Sequence, residues 1–334
     1  MKIQLTHTYN DIISIENLLL AWQEFVAGKR TKPDVSAFGR NVLDNIIILH
    51  KDLASERYRH GPYHRFSICD PKPRIIHKAG VRDRLLHHAI YRILYPFFDR
   101  TFIADSFACR KEKGVHRALG RFRSFAHIVS KNHTRTCGVL KCDIRKFFAS
   151  IDQAVLLRIL AEYIPDPKIM GLLRQMTSSF YVAVPGRGLP LGNLTSQLFV
   201  NVYMNVFDQF VKHKLKVRHY IRYADDFVLL SPDRDWLLLQ LPRMKKFLRE
   251  RLHLTMHPNK IMLQTFASGV DLLGWVHFPD HRILRTATER RMMRRIRNNL
   301  TEATVQSYLG LLRHGNTQKL KKEVLHIAWL WGGG

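Results

Sequence analysis

The sequence predicts an α+β fold built on antiparallel strands. Three observations carry this. Stretches with apolar residues at helical spacing alternate along the chain with short strand-like runs. Two segments, "YHRFSICDPKPRIIHKAG" and "RYADDFVLL", read as strand–turn–strand hairpins. Acids enter the apolar strands only at selected positions: Asp143 in "CGVLKCDIRKFF", and the pair Asp225–Asp226. At 334 residues, 46% of them hydrophobic, the chain can bury more than one core, in one large domain or two to three subdomains.

Residues 11–28 read as an amphipathic helix that Ser14 can cap. Ile15, Leu18, Leu19, Trp22, Phe25 and Val26 share a face, and Gly28 ends it. A second helical stretch covers 38–54. Phe66, Ile68, Ile75 and Ile76 are strand-like and flank "DPKPR", whose two prolines and aspartate favour a turn with Lys72 and Arg74 near its tip. Helical patterns follow at about 82–98 and 114–130. Residues 137–148 read as a buried strand carrying Asp143. Ser150 and Gln153 match a capping box that starts the next helix. "GLPLGNLTSQLF" is a turn running into a helix from about residue 194. "DWLLLQLPRMKKFLRERL" is helical, with a kink or start at Pro242. "LLGWVHF" is a further strand, and from Arg285 the chain is helical and rich in arginine.

Charge narrows the partners. Lys and Arg number 54 against 27 acids, a net +27. So much positive charge repels itself unless it meets a polyanion, and nucleic acid is the leading candidate. A membrane surface would need an amphipathic anchor or a lipidation signal, and neither is found. "MKIQLTHTYND" lacks a signal-peptide core, and no apolar run nears the roughly 20 residues that span a bilayer. The cytoplasm is the expected location. Cys69, Cys109, Cys137 and Cys142 form no CxxC pair, so they read as reduced structural thiols rather than zinc ligands. His87 and His88 fall in a helical pattern and read as solvated or packing residues.

The acids carry the chemistry. If the strands bearing Asp143 and Asp225–Asp226 are neighbours, three carboxylates converge. Such a cluster stays ionised only against cations, and hard oxygen donors select magnesium or manganese. Two such ions roughly 3.5–4 Å apart serve in-line nucleotidyl transfer. Taken alone, "DD" reads sooner as a solvated turn with a stray acid pair. The basic composition and Asp143 in its apolar strand argue for the cluster.

With these residues in view, the chain resembles a reverse transcriptase, a right-hand polymerase of fingers, palm and thumb. "YADD" (223–226) is similar to the family's Tyr-x-Asp-Asp box, and "LKCDIRKFFASID" to its first palm motif. "GLPLGNLTSQLF" resembles the motif opening the palm helix. "KIMLQTFASGVDLLGWV" resembles the lysine-led loop and primer-grip hairpin, and "DPKPR" the fingers hairpin. The resemblance runs from about residue 55 to 315. It implies an N-terminal helical extension (1–58), fingers with part of the palm (59–138), a palm with inserted fingers segments (139–278) and a helical thumb (279–334).

Roles follow from the resemblance. Asp143 and Asp225 would bridge two Mg2+ ions, or Mn2+, with Asp226 in support and the Ile144 carbonyl completing one shell. Phe148 would lie under the sugar and exclude a 2′-hydroxyl. Lys72 and Arg74 would clamp the incoming dNTP, and Lys260 would protonate the leaving pyrophosphate. Leu191, Gly192 and Gln197 would line the nucleotide site, and Leu273, Gly274 and Trp275 would form the primer grip. The Arg-rich stretch 282–297 would grip the template RNA/cDNA duplex.

Most relatives carry Gln-Gly and Ser-Pro where this chain has Leu191–Gly192 and Ser196–Gln197. That variant, with block 81–119, resembles the enzymes of diversity-generating retroelements. Their copying is error-prone opposite template adenines, and they need a small helical accessory protein that assembles as a basic pentamer. Alanine in "YADD" is shared with group II intron and antiphage-defence enzymes, whereas methionine is commoner in the retroelement group. The alternatives are a retron or defence reverse transcriptase with its own RNA, and a polymerase-like RNA-binding or splicing factor that does not synthesise.

Overall fold

The computed structural model describes residues 3–69 and 73–331. A helical layer comes first: α1 (Tyr9–Ile13), α2 (Ile15–Val26), α3 (Pro33–Arg40) and α4 (Val42–Ala54). The helix expected over 11–28 is therefore two. Ser14 takes an extended ψ of 142° and its Oγ accepts from the Asn17 N–H, capping the second of the pair. Asn41 makes a similar break inside the stretch expected over 38–54.

The hairpin β1 (His64–Ile68) and β2 (Arg74–Lys78) follows, with Phe66 opposite Ile76. Next come α5 (Val81–Asp99) and α6 (Val115–Val129). The strand β3 (Gly138–Cys142) leads to α7 (Phe147–Ser150), α8 (Gln153–Ala161), α9 (Pro167–Ser178) and α10 (Leu194–Gln209), which runs on as a π-helical turn to Lys214. Then come β4 (Tyr220–Tyr223), β5 (Asp226–Ser231), α11 (Arg234–Leu252) and β6 (Met262–Thr265). A second sheet, β7 (Val270–Leu272), β8 (Trp275–His277) and β9 (Arg282–Leu284), precedes α12 (Thr286–Asn298), α13 (Glu302–Leu312) and α14 (Gln318–Trp331).

Two local readings change. Asp152, not Ser150, caps α8, because its carboxylate accepts from the Val155 N–H at 3.0 Å. An ionised acceptor outcompetes a hydroxyl there. Ser150 instead bonds the Arg145 carbonyl, and Gln153 is buried, donating to the carbonyls of Phe180 and Gly188. Pro242 lies inside α11 and does not start it; Asp233, nine residues earlier, caps the helix by accepting from the Trp236 N–H. The arginine-rich helix begins at Thr286 with Arg285 as its N-cap, as expected, and follows the strand Arg282–Leu284 paired with β8.

The central sheet has the order β4-β5-β3-β6, all antiparallel. Both faces are covered, which explains the unbroken apolar run "FVLL". Phe227 and Leu229 face the larger core with α5, α8, α10 and α11, while Val228 and Leu230 face the smaller core with α6, β7, β8 and α12. Cys137 and Cys142 are buried in these cores as structural thiols, but Cys69 and Cys109 are exposed, so a packing role fails for those two. Among the described residues no helix is long and apolar enough to cross a membrane.

One ion pair crosses this architecture. Arg222 on β4 and Asp208 on α10 both have fully buried side chains. The guanidinium reaches both Asp208 carboxylate oxygens at 2.8–3.0 Å, and also bonds Ser106 Oγ, Asn201 Oδ1 and the Ala224 carbonyl. Tyr220 donates its hydroxyl to the same carboxylate at 2.7 Å. Removing one member strands the other charge in the core. Arg222→Met should therefore destabilise the fold by about 3–5 kcal/mol, read as a lower urea midpoint, and adding Asp208→Leu should restore part of the loss.

Candidate active site

Sheet register brings the acids together. Cys142 pairs with Phe227, so one step further Asp143 lies across from Asp226. On the other side of β5, Tyr223 pairs with Asp226 and leaves Ala224 and Asp225 as a two-residue turn. Ala224 takes φ +55°, as the first position of such a turn demands. The bond from Arg222 to the Ala224 carbonyl holds that conformation at 3.1 Å.

The electrostatics are those of crowded carboxylates. Burial pushes Asp225 up to about 6, with Asp226 and Asp143 adding to the shift. Burial also raises Asp226, opposed by Lys141, Lys260 and Arg285. Those three cations answer the acid pair from three directions. Lys260 ion-pairs with Asp143 at 2.8 Å. Lys141 on β3 donates to the Asp271 carbonyl at 2.7 Å, and Arg285 pairs with the Asp271 side chain, which ties the β7–β8 hairpin beside the acids. Asp143 is further fixed by its backbone. Its carbonyl accepts from the His257 N–H and the Arg145 N–H donates to the Thr255 carbonyl, bridging Ile144 to Met256. That pattern leaves the Ile144 carbonyl outside the bridge.

The donor set fits a hard divalent cation. It is all carboxylate oxygen, with a backbone carbonyl nearby, and its mutual repulsion is what such an ion relieves. Among the described residues no three His, Cys, Asp or Glu side chains form a ready-made metal cage, and the Lys260 ammonium occupies one Asp143 oxygen.

The residues expected to meet the nucleotide are partly gathered. Phe148 is half-buried, while its neighbour Phe147 is the one committed to the core. The Leu191 carbonyl accepts from the His77 N–H at 3.1 Å, joining this loop to β2. Gly192 has φ +106°, and a Cβ there would meet Ile76 at 2.9 Å, so only glycine fits. Gln197 and Gly192 line one pocket with Phe66, Ile76 and Lys78. Arg74 is exposed at the start of β2. Lys72 lies outside the described residues. Leu273 (φ +50°) and Gly274 (φ +89°) form the tight turn between β7 and β8, whereas Trp275 is 1% exposed and packs in the smaller core under Arg282. Its side chain thus packs in the core, and of the three residues only Leu273 and Gly274 stand at the turn. His87 is buried with Nδ1 2.5 Å from Thr195 Oγ1, a packing histidine at the start of α10.

Sequence reasoning missed Arg222, Asp208, Lys141 and Asp271. Two of these left a signal: Asp208 is an acid within the apolar helix "LFVNVYMNVFDQF", and Arg222 a cation within an apolar strand.

Comparison with known proteins agrees with this geometry. Residues 70–277 match the family described as reverse transcriptase (RNA-dependent DNA polymerase). Protein YkfC of Escherichia coli K12 is 25% identical over 221 residues, covering 55% of this chain and 58% of YkfC. The group II intron-encoded protein LtrA of Lactococcus lactis is 20% identical over 86% of this chain and 58% of its own length. A putative COX1/OXI3 intron 2 protein of Saccharomyces cerevisiae is 24% identical over 60% of this chain and 24% of its own. The chain thus spans less than two thirds of these curated relatives. It belongs to the reverse transcriptase family.

The raised Asp225 has a consequence for stability. From the ordinary 3.8 up to about 6, the folded chain holds a proton that the unfolded chain has released. Stability therefore falls as pH rises through that window and stays reduced above it. Asp225→Asn removes the penalty. In EDTA the variant should melt a few degrees above the parent at about pH 7.5, and the gap should close below about pH 4.

Proposed function

We propose that this member of the reverse transcriptase family copies RNA into DNA by two-metal nucleotidyl transfer. The observation that carries the reading is the register of β3, β4 and β5, which aligns Asp143 with Asp226 and sets Asp225 in the adjoining turn. Two Mg2+ ions, or Mn2+, would lower the pKa of the attacking hydroxyl and stabilise the leaving pyrophosphate. Asp143 and Asp225 would hold them, with Asp226 and the Ile144 carbonyl in support. Lys260, already within hydrogen-bond reach of Asp143, would give its proton to pyrophosphate. Arg74 and Lys72 would clamp the triphosphate, and Phe148 would close the space a 2′-hydroxyl needs. Gly192 lets backbone approach the nucleotide, between Leu191 and the wall formed by Gln197.

In this reading residues 59–138 are fingers, 139–278 palm and 279–334 thumb, behind a helical extension over 1–58. The partners are template RNA, its duplex with cDNA, and dNTPs. Leu191–Gly192 and Ser196–Gln197 favour the mutagenic enzyme of a diversity-generating retroelement, working with a small helical accessory protein. A group II intron-type enzyme is the second reading, supported by alanine in "YADD" and by the likeness to LtrA.

Sequencing of cDNA made by the purified chain with its co-purifying RNA, dNTPs and Mg2+ tests both levels. Asp225→Ala/Asp226→Ala should abolish product. Errors should concentrate opposite template adenines, and Leu191→Gln should reduce them. Faithful copying by the parent would overturn the retroelement reading, and product from the double variant would overturn the catalytic one.

A further inference from the structure

A groove of about 390 Å³ lies between α11 and the returning segment 254–261. Pro242, Lys245, Lys246 and Arg249 line it from one helical stripe, at the i, i+3, i+4, i+7 spacing. The stripe is about 10 Å long at 1.5 Å per residue. Thr255 and the buried Met256 contribute from the facing segment. All three cations are exposed. Among the described residues neither Lys245 nor Lys246 meets an acid, and Arg249 has only the exposed Glu250 at 3.6 Å. Three neighbouring positive charges without counter-charges repel each other, which a bound polyanion would relieve.

We propose that this groove is a second nucleic-acid contact, taking the phosphate backbone of an unpaired RNA strand outside the polymerase cleft. An open, elongated stripe with several cations suits successive phosphates better than a single anion. No aromatic ring lines the groove, so contact there would be with phosphates and independent of base sequence. The far wall matters for the site. Thr255 and His257 hold the backbone of Arg145 and Asp143, and Lys260 holds the Asp143 carboxylate. A strand seated on Thr255 therefore steadies the segment on which Asp143 depends.

The test is fluorescence anisotropy with two labelled probes, an RNA hairpin carrying an unpaired tail and the same hairpin without it. The variants are Lys245→Ala/Lys246→Ala/Arg249→Ala and a control removing three scattered exposed cations, Lys51, Lys131 and Lys168. Each lost phosphate contact flattens the log–log salt slope by about 0.7 on single strands, so the groove variant should lose about 2 on the tailed probe. The control, and both proteins on the tailless hairpin, should keep the parent slope. Amides of 254–260 should also exchange more slowly with the tailed RNA bound to the parent, but not to the groove variant. An unchanged slope in the groove variant, an equal loss in the control, or an equal loss on the tailless hairpin overturns the proposal. The readout is binding, so a chain that makes no cDNA would overturn the polymerase reading and leave this one standing.

Discussion

Arg222 and Asp208 face each other with no solvent on either side chain, and the arrangement of the acids depends on them. The pair fastens α10 to β4. Through the Ala224 carbonyl it also fastens the turn that presents Asp225. A turn with a non-glycine residue at φ +55° carries backbone strain and needs outside support. Placing that support on a buried charge is costly in desolvation. It is made tolerable because every face of the guanidinium finds an acceptor, including Asn201 and Ser106.

Around that anchor the site is a balance of like and unlike charge. Three carboxylates meet at the ends of neighbouring strands, and Lys141, Lys260 and Arg285 offset part of their field. The cations come from β3, from the loop before β6 and from the edge of the second sheet. The acid cluster is thereby wired to both sides of the fold. The loop carrying Lys260 is shared by the acid cluster and the basic groove, so events on either surface act on the same backbone.

Much of this was legible in the sequence, for physical reasons. Hairpins announce themselves through turn residues between apolar runs: "YADD" closes the β4–β5 hairpin, and β1 pairs with β2 on either side of "DPKPR", whose residues 70–72 lie outside the described ones. The convergence of Asp143 with Asp225 and Asp226 followed from acids that apolar strands would not otherwise hold. Competition between similar local signals was harder to read. Ser150 and Asp152 both offered a cap, and the stronger acceptor took it. Trp275 was expected at a primer grip from the resemblance, yet its ring packs inward against the smaller core. Arg222 and Asp208 lie 14 residues apart, and no local pattern indicates that two such charges will bury each other.

The most direct test of the central claim is Mn2+ binding, followed by the EPR signal of the free ion, in the parent, Asp225→Asn and Arg222→Met. The account predicts binding by the parent, its loss in Asp225→Asn, and affinity weakened at least about tenfold in Arg222→Met under conditions where its circular dichroism matches the parent. Equal Mn2+ affinity in all three would contradict it, because neither the carboxylates nor the buried arginine that positions them would then form the cation site.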